Sequence, residues 1–361
     1  MSKVFKADLV GVKESVVDAM LLLNPHQIPL LSRIGFGDPV YNTKHEWIED
    51  ELFAYESQLT EAITNTDTTL SVADGSIFRK DHVIRIDEEM LKVSTVNGNN
   101  LTVSRGYAGT SAAAHAADAR VEILFVEGEE GADAREARFK KRVRRENYTQ
   151  IFDDTIEISG TAMAIAQYGI DNLYASEQAK KMIEVALQLE KAAINGVKYE
   201  NGQVRQMAGI RSFITTNVTD AQGGDLTLEM VNDLAQKIYE KGGFATGANH
   251  VIMVGPKQKR ALSQIGSEQI VIDRDDTARG QRVERLVTDF GELPIVLNNN
   301  VDAKELFIVD LNRIAVRPLN GREFFHEYLG KRGDYVTGQI VGEYTLEFRQ
   351  EAAHARIKNL G

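Results

Sequence analysis

The chain has 361 residues, and its 42 lysines and arginines are outnumbered by 53 aspartates and glutamates, which gives a formal net charge of −11 at pH 7. This acidic balance argues against a dedicated DNA-binding module, because such modules neutralise phosphates with a basic surface. The chain has no cysteine, which excludes disulfides, thiol catalysis, zinc–thiolate sites and iron–sulfur clusters, and no apolar run approaches the roughly 18 residues of a membrane span.

Residues 1 to about 45 are predicted to be an extended arm that carries a short helix. Prolines at positions 25, 29 and 39 keep this segment from forming one long helix. The apolar residues between positions 16 and 21 are spaced for a short amphipathic helix. Asp18 interrupts this apolar patch, so the N-terminus does not fit a signal peptide.

Residues 57–126 are predicted to form a compact all-β module inserted into the chain. The segments TTLSVA, HVIRI, MLKVSTV, LTVS and VEILFV are short, rich in β-branched residues and roughly alternating, and turn sequences separate them. The stretch SRGYAGTSAAAHAADA contains glycines but no phosphate-binding motif, since neither GxGxxG nor GxxxxGK followed by Ser or Thr occurs in the chain. We interpret it as a surface loop on a small β-barrel.

A charged ribbon follows the module. The acidic run EGEEGADAREA, which includes Glu129 and Glu130, leads through a basic cluster into the alternating segment DTIEIS. Blocks of like charge are usually solvated faces or tails. This block stands in mid-chain and runs into a predicted strand, which favours a surface that lies against other copies of the chain. The basic cluster consists of Arg135, Arg138, Lys140, Lys141, Arg142, Arg144 and Arg145.

The strongest helix pattern lies between Asp171, the predicted N-cap, and Gly196, the predicted end. Apolar and small residues recur there at spacings of three and four, and the small ones imply close approach to a sheet or a neighbour. A coiled coil is the alternative, but three turns of heptad between helix-breaking residues are too few for it. The predicted stripe is Ala175, Ala179, Met182, Ala186, Leu189 and Ala193, widened by Ile183 and Leu187.

From residue 226 onwards, helices and strands alternate. LTLEMVNDLAQKIYEKGG and PKQKRALSQIG are predicted helices, and the second begins with proline at its first position. HVIMVGP, FGELPIVLNNNV and ELFIVDLNRIAVRPL are predicted to contribute strands, and the alternation indicates a small α/β domain. The C-terminal YVTGQIVGEYTLEFRQEAAHARIKNL is predicted to form two strands, with a bend or bulge at Gly342.

Candidate catalytic and metal-binding residues do not form a recognisable site. No two of the seven histidines stand at HxxxH or HxH spacing, and no GxSxG nucleophile motif occurs. The densest carboxylates are Asp273, Asp275 and Asp276, which would supply oxygen ligands for a divalent metal in a cytosolic enzyme. Four arginines are interleaved with or follow them, which favours a salt-bridged loop. We therefore predict no enzyme activity, no metal and no cofactor.

The segments RRENYTQIFDDTIEISGTA, FGELPIVLNNNV and VGEYTLEFRQEAAHARIKNL, together with the order of the predicted parts, resemble the major capsid proteins of tailed bacteriophages. The resemblance covers most of residues 127–361 and is less specific for the arm and the module. It implies an α+β protein of the Hong Kong 97-type fold with a small all-β insertion domain. It further implies a major capsid protein that assembles as pentamers and hexamers into an icosahedral or prolate head enclosing double-stranded DNA.

The resemblance also implies how the chain is divided. In that family, rings of five or six subunits have axial domains at their centre, and extended loops lie over the neighbouring subunit. The implied parts are an N-terminal arm at 1–45, an E-loop at 46–56 and 127–150, the inserted domain at 57–126, a peripheral domain with the spine helix at 151–205 and 311–361, and an axial domain at 206–310. The predicted contacts with neighbouring subunits are made by Arg138, Lys140, Lys141, Arg142, Arg144, Arg145, Glu129 and Glu130.

Partners and location follow from the same resemblance. We expect a virion protein that assembles in the host cytoplasm without membrane contact, together with a portal protein and, as an optional partner, a decoration protein. Because no helical scaffolding segment precedes the arm, we expect a separate scaffolding protein and no removal of an N-terminal domain. Packaged DNA is expected to be contacted weakly and without sequence specificity. The alternative is a shell protein whose insertion at 57–126 binds a glycan or another partner.

Overall fold

The computed structural model describes residues 28–131, 133–135, 137–165, 172–244, 249–265, 270–272, 283–331 and 333–361, with the backbone alone at 270–272 and 283–284. Two compact units are present: Ile48–Val143 forms the smaller one, and the chain before and after this segment forms the larger one. The helix predicted between positions 16 and 21 lies outside the described residues.

The α-helices within the described ranges are α1 (Pro29–Ile34), α2 (Gly160–Ala164), α3 (Leu173–Asn195), α4 (Ile210–Phe213), α5 (Leu228–Glu240) and α6 (Pro256–Gln264). The strands are β1 (Lys44–Glu49), β2 (Glu56–Gln58), β3 (Thr69–Ser71), β4 (His82–Ile86), β5 (Glu89–Asn97), β6 (Asn100–Ser104), β7 (Arg120–Val126), β8 (Val143–Tyr148), β9 (Gln150–Ser159), β10 (Tyr199–Asn201), β11 (Val204–Gln206), β12 (Val218–Asp220), β13 (His250–Val254), β14 (Ile270–Ile272), β15 (Val283–Thr288), β16 (Gly291–Leu297), β17 (Leu306–Asp310), β18 (Ile314–Pro318), β19 (Phe325–Lys331), β20 (Tyr335–Phe348) and β21 (Ala355–Lys358).

The smaller unit is built on one antiparallel sheet of six strands in the order β2-β7-β4-β5-β6-β3. All five segments predicted as strands in this part of the sequence are strands, so these predictions are confirmed. Buried and exposed residues alternate along β6, as a strand with one buried face requires. The core of the unit includes Leu70, Ile84, Leu91, Leu101 and Val121, all of them fully buried.

A buried charged cluster fixes the loop of small residues to this sheet. The Glu89 carboxylate accepts hydrogen bonds from the Arg105 guanidinium at 2.7 and 2.8 Å, from Gly106 N at 3.2 Å and from Ala113 N at 3.0 Å. His115 Nε2 lies 3.1 Å from the same carboxylate. Burial alone would raise the pKa of Glu89, but these donors, led by Arg105, lower it to about 2. The surface loop is therefore anchored by an ionised carboxylate inside the unit.

The larger unit contains a mixed sheet of seven strands in the order β12-β21-β17-β13-β16-β15-β14. Helices α5 and α6 pack on one face, in a core that includes Ile252 and Leu306. The other face carries Met253 and Phe307, which belong to a core shared with α3. Because both faces are covered, β13 and β17 are buried at every position. The helices and strands predicted between 226 and 310 are confirmed.

A second sheet in the larger unit is organised around β20, a strand of 14 residues. Strand β9 pairs antiparallel with β20 from Tyr335 to Tyr344 without a register shift. Strand β19 pairs with the same part of β20 along the opposite edge, and β18 pairs with its C-terminal part. The side chains of Ile340, Leu346 and Phe348 point from β20 into the core that α3 covers. The two predicted C-terminal strands are thus confirmed as β20 and β21.

The predicted bend or bulge at Gly342 is wrong. Gly342 pairs regularly with Phe152, and the register shift in this sheet falls instead between Tyr328 and Gly330. A Cβ atom on Gly342 would come within 2.4 Å of Cδ1 of Phe324. The glycine is therefore explained by the close approach of an aromatic ring rather than by the course of the backbone.

The long helix α3 ends at Gly196, as predicted, and begins at Leu173. Its N-cap is Asn172, whose side-chain oxygen accepts a hydrogen bond from Ala175 N at 3.1 Å. This bond satisfies one of the N–H groups that have no partner within the first turn of a helix. The predicted N-cap, Asp171, lies outside the described residues.

The buried face of α3 differs from the predicted stripe. Leu189 and Ala193 are buried as predicted, whereas Ala175, Ala179 and Ile183 are exposed. The fully buried residues of the helix begin at Val185, although Tyr174 in its first turn still contacts His326 on β19 at 2.8 Å. Alanine at the exposed positions is compatible with solvent because it has little apolar surface. The buried residues of α3 are Val185, Leu189, Glu190, Ala193 and Ile194.

Candidate interaction surface

Strand β8, into which the predicted charged ribbon leads, pairs with β1 in a two-stranded sheet. We therefore use the name ribbon for both segments, residues 44–55 and 127–146. Within the larger unit, Lys44 contacts Glu46 and Glu146, and Arg144 Nη1 lies 3.2 Å from Glu46. Lys198 Nζ also donates to Glu146, at 2.7 Å. Hydrogen bonds from Lys198 and Lys44 lower the pKa of Glu146 to about 2. The basic and acidic residues in this part of the ribbon are therefore paired with one another.

Buried polar side chains just after the ribbon fix it to β20. The Asn147 amide donates to the carbonyl oxygens of Ala208 at 3.1 Å and Leu346 at 2.7 Å, and its oxygen accepts from Ala208 N at 2.8 Å. The buried Thr149 hydroxyl donates to Glu343 at 2.5 Å. Since a buried polar group costs free energy when its partner is missing, these bonds specify where β8 passes into β9.

The carboxylate of Glu347 holds the first strand of the ribbon in the same way. His45 Nε2 lies 2.8 Å from Glu347, Arg317 Nε lies 2.5 Å from it, and Arg349 forms a third ionic contact. Burial alone would raise the pKa of Glu347, but His45 and the two guanidinium groups lower it to about 2. The carboxylate is therefore ionised at neutral pH, and it attracts the two guanidinium groups and holds the His45 ring against β20.

Within the smaller unit, basic side chains of the ribbon are paired with acidic side chains of the same chain. Arg142 Nε lies 2.9 Å from Asp50, and Lys140 Nζ lies 2.9 Å from Glu51. Both pairs are exposed, so each contributes only about 0–1 kcal/mol to stability. The pairs nevertheless reduce the net positive charge on the surface of the ribbon, because each cation lies beside an anion of its own chain.

Arg138 makes a different contact on the same segment. Its guanidinium carbon lies 4.2 Å from the centre of the Phe53 ring, and its Nη1 donates to the carbonyl oxygen of Ile77 at 2.7 Å. An arginine over an aromatic face combines cation–π attraction with burial of the ring surface. Arg138 therefore connects the ribbon to the six-stranded sheet of its own unit.

Between these cations, apolar side chains are exposed. The Phe139 side chain is 86% exposed and that of Leu52 is 84% exposed. Both line an open groove of about 660 Å³ within the smaller unit. The other residues that line this groove are Asp50, Glu51, Phe53, Arg138, Lys140, Lys141 and Arg142.

The eight residues predicted to contact neighbouring subunits fall into two groups. One group has contacts within its own chain, and it consists of Arg138, Lys140, Arg142 and Arg144. The other group consists of Lys141, Arg145, Glu129 and Glu130, which are exposed as Lys140, Arg142 and Arg144 also are, and Arg145 too has an interaction within the chain. The structure is that of one chain, so the contact of these residues with a second subunit stays a prediction.

The roles of Glu46, Asp50 and Glu51 as acidic partners of the ribbon are not apparent from the sequence. The local signal is the acidic segment HEWIEDEL, which precedes the inserted module while the basic cluster follows it. The pairing becomes visible only when the module closes and brings the two segments side by side in β1 and β8.

Glu190 is a second residue that sequence analysis misses. It is fully buried on α3, and its carboxylate accepts hydrogen bonds from Leu30 N and Leu31 N, both at 2.9 Å, and from Asn298 Nδ2 at 2.7 Å. Leu30 and Leu31 lie in the first turn of α1, where backbone N–H groups have no partner within the helix. Burial raises the pKa of Glu190, although the three donors oppose this shift. The residue thereby joins α1, α3 and the loop after β16.

Among the residues that the structure describes, no group of three or more His, Asp or Glu side chains is arranged to hold a metal ion. Asp273, Asp275 and Asp276, the densest carboxylates of the sequence, lie outside those residues. Within the same described ranges, no helix is long and apolar enough to cross a membrane.

A family model described as the SU10 major capsid protein matches residues 3–361 of the chain. Among solved structures, the chain is similar to the capsid of a native GTA particle, with 11% identity, coverage of 97% of this chain and 96% of that one, and a TM-score of 0.55. It is also similar to a structure of Microbacterium phage Oxtober96, with 10% identity, full coverage of both chains and a TM-score of 0.53. At such identities the likeness shows a common fold alone. Among curated protein sequences, none matches this chain.

Proposed function

The chain belongs to the SU10 major capsid protein family, and from this premise we propose how it builds a phage head. It is a major capsid protein with the Hong Kong 97-type fold, and its copies assemble into the icosahedral shell of the virion. The observation that carries this conclusion is the family match over almost the whole length of the chain. The family is one of structural proteins, and we extend this to propose that the chain has no enzyme activity.

The proposed shell consists of pentamers and hexamers whose subunits share one division into parts. In the order of the chain, β1 precedes the six-stranded unit and β8 follows it, which supports an E-loop with an inserted domain. The seven-stranded sheet supports an axial domain, and β21 returns from the C-terminal segment to pair with its strand β17. The proposed parts are the arm at 1–45, the E-loop at 46–56 and 127–150, the inserted domain at 57–126, the peripheral domain at 151–205 and 311–361, and the axial domain at 206–310.

The ribbon is the proposed contact between neighbouring subunits. Its segments from 48 to 55 and from 138 to 143 include large side chains that are mostly exposed in the single chain. Each surface contact is weak, and an exposed ion pair contributes only about 0–1 kcal/mol. A closed shell repeats the contact many times, and each subunit engages several neighbours at once, so weak contacts become effective collectively.

Purified protein is expected to yield pentamers, hexamers or shells in electron micrographs and by sedimentation. Replacement of Arg142, Arg144 and Arg145 by Glu is expected to leave the subunit folded and to block assembly, because the ribbon then repels its own acids and those of its neighbours. The matched control reverses Arg85 and Arg120, two exposed arginines in ion pairs of the six-stranded sheet, and should assemble normally. A clean monomer at high concentration, even with a scaffold added, would contradict the shell function.

The proposed partners are a portal protein, a separate scaffolding protein, an optional decoration protein and packaged double-stranded DNA. The net charge of −11 supports a weak contact with DNA that has no sequence specificity. Assembly is proposed to take place in the host cytoplasm, and the absence of cysteine is compatible with a reducing compartment. Particles collected from infected cells, analysed by mass spectrometry, would identify these partners directly.

A second candidate function is that the inserted domain binds a glycan or another partner. Its separate hydrophobic core supports an independent role, because such a domain can fold without the rest of the chain. Deletion of residues 57–126 should then leave assembly intact and abolish attachment to the host. Normal attachment of the resulting particles would dismiss this function.

A further inference from the structure

We propose that apolar side chains at the outer part of the ribbon, rather than its charges, dock onto a second copy of this chain. This inference rests on the proposed function, because it takes the ribbon to be a contact between subunits. The docking face, which we call the apolar tip, is centred on Leu52 and Phe139, which line one groove. Ile48, Tyr55 and Val143 are further exposed apolar residues of the same two segments.

The alternation of side chains along residues 138–142 places three of the four cations on the side away from Phe139. In an extended segment, successive side chains point to opposite sides. Arg138, Lys140 and Arg142 occupy every second position, and each contacts Phe53 or an acidic residue of the same chain. Phe139, between the first two of these cations, is 86% exposed. The segment thus uses one side for contacts with its own chain and leaves Phe139, together with Lys141, on the other.

The exposed apolar side chains of the tip come from both segments of the ribbon. Leu52 is 84% exposed, Tyr55 68% and Ile48 67% on the first segment, and Phe139 is accompanied by Val143, 41% exposed, on the second. Single exposed apolar residues are normal on a soluble protein, but a cluster rimmed by polar residues is typical of an interaction site. Removal of such side chains from water is also the main favourable term in protein association.

The charge of the chain favours a second copy as the occupant. Copies that each carry a net charge of −11 repel one another, so their contacts need surfaces whose charges are already compensated. At the tip, Asp50 and Glu51 compensate Arg142 and Lys140, and the apolar side chains lie beside these pairs in one groove. In a shell built from one kind of chain, the molecule that each ribbon meets is another copy.

The first test separates apolar docking from charge recognition by measuring the concentration at which shells form. Leu52→Ser combined with Phe139→Ser is expected to raise this concentration at least about tenfold without changing the thermal unfolding of the unassembled subunit, because both side chains are exposed there. A charge-swapped variant, Asp50→Arg with Arg142→Asp, keeps the ion pair and exchanges the position of its charges. It is expected to assemble like the wild type. Phe125→Ser, which removes another exposed ring of the same unit, is the matched control.

Each outcome of this test is decisive. Loss of assembly in the charge-swapped variant overturns the inference, because the neighbour then recognises charges, while the ribbon remains the contact between subunits. Normal assembly of both the double serine variant and the charge-reversed ribbon refutes the ribbon contact altogether. An equal effect of Phe125→Ser overturns the inference as well, since the loss would then not be specific to the tip.

A second test measures contact at the tip directly, and the absence of cysteine from the chain removes any background. Phe139→Cys is mixed as a minor fraction with wild-type subunits, and the rate of its reaction with a maleimide is compared before and after assembly of the purified chain. The rate is expected to fall at least about tenfold in shells. An unchanged rate, or protection that requires other virion proteins, would overturn docking onto a second copy.

Discussion

Replacement of Glu190 is the sharpest test of how the larger unit is held together. Glu190→Ala removes the acceptor for Leu30 N, Leu31 N and the Asn298 amide, which converge on one buried carboxylate. This carboxylate lies on α3 and accepts hydrogen bonds both from α1 and from the loop after β16. Its loss is therefore expected to destabilise the larger unit and to release α1 first.

The magnitude follows from the number of donors that lose their acceptor. A buried donor without a partner costs about 1–3 kcal/mol, and Glu190→Ala creates three of them. Removal of a carboxylate whose pKa is raised by burial also relieves a desolvation cost and offsets part of this loss. We expect a net decrease of about 3–5 kcal/mol in the free energy of unfolding, the lower part of the range for three such losses because of this offset. Glu190→Gln keeps one acceptor oxygen and should cost about 1–3 kcal/mol.

Trp47, the single tryptophan, provides the assay. It is buried in the larger unit, where its ring centre lies 5.9 Å from that of Phe213, so its fluorescence in a denaturant titration reports this unit and not the inserted one. The control is Glu184→Ala, which removes an exposed carboxylate paired with Lys181 on the same helix and should change stability by less than about 0.5 kcal/mol.

Hydrogen exchange adds a local measurement to this assay. The amides of Leu30 and Leu31 should exchange much faster in Glu190→Ala, because their hydrogen-bond acceptor is lost. If stability changes by less than about 1 kcal/mol and these two amides remain protected, Glu190 does not hold α1 and the reasoning from its buried hydrogen bonds is wrong.

Three further predictions concern other parts of the molecule. Burial holds the pKa of His354 at about 3, well below the usual value of about 6.5 for histidine. The unfolded state therefore binds more protons as pH falls from about 6 to 4, and tryptophan-monitored stability should decrease by about 1.4 kcal/mol per pH unit. A pH-independent stability in this range would contradict this expectation. Gly342→Ala should lower the free energy of unfolding by about 1–3 kcal/mol because the added methyl group overpacks against Phe324. Thermal unfolding measures this loss, and an unchanged midpoint temperature would refute the close approach of the ring. Arg105→Ala should destabilise the inserted unit by about 3–5 kcal/mol because it leaves Glu89 buried without its main partner. Protease digestion should then cut this unit first. Full resistance to the protease would show that the Glu89–Arg105 pair does not hold the unit together.

Secondary structure could be predicted wherever the local pattern reflects burial. HVIMV is recognisable as a strand because both faces of β13 are covered, and DTIEIS is recognisable because β9 has one buried face. The end of α3 at Gly196 has an equally local cause, since glycine is common where helices end. The family resemblance likewise rests on short segments whose residues are contiguous in sequence.

The contacts that matter most for the candidate site depend on residues far apart in sequence. Asp50 and Arg142 are separated by the entire inserted unit, so the charge compensation of the ribbon is invisible in the sequence of either segment. Glu190 stands at the helical spacing of the apolar stripe, four residues after Ala186 and three before Ala193. Its charge nevertheless suggests exposure, and only the arrival of α1 explains its burial. Gly342 suggests a backbone irregularity, whereas its cause is the ring of Phe324 from the neighbouring strand segment.

The adjacency of β1 and β8 has an evolutionary consequence. Paired strands lie only about 5 Å apart, so the polypeptide departs for the six-stranded unit and comes back at nearly the same point. A segment with such close ends can be grafted in or lost as a cassette without rerouting the host chain. Lineages that carry this scaffold can therefore exchange the cassette by recombination, and engineered proteins can be displayed at the same junction.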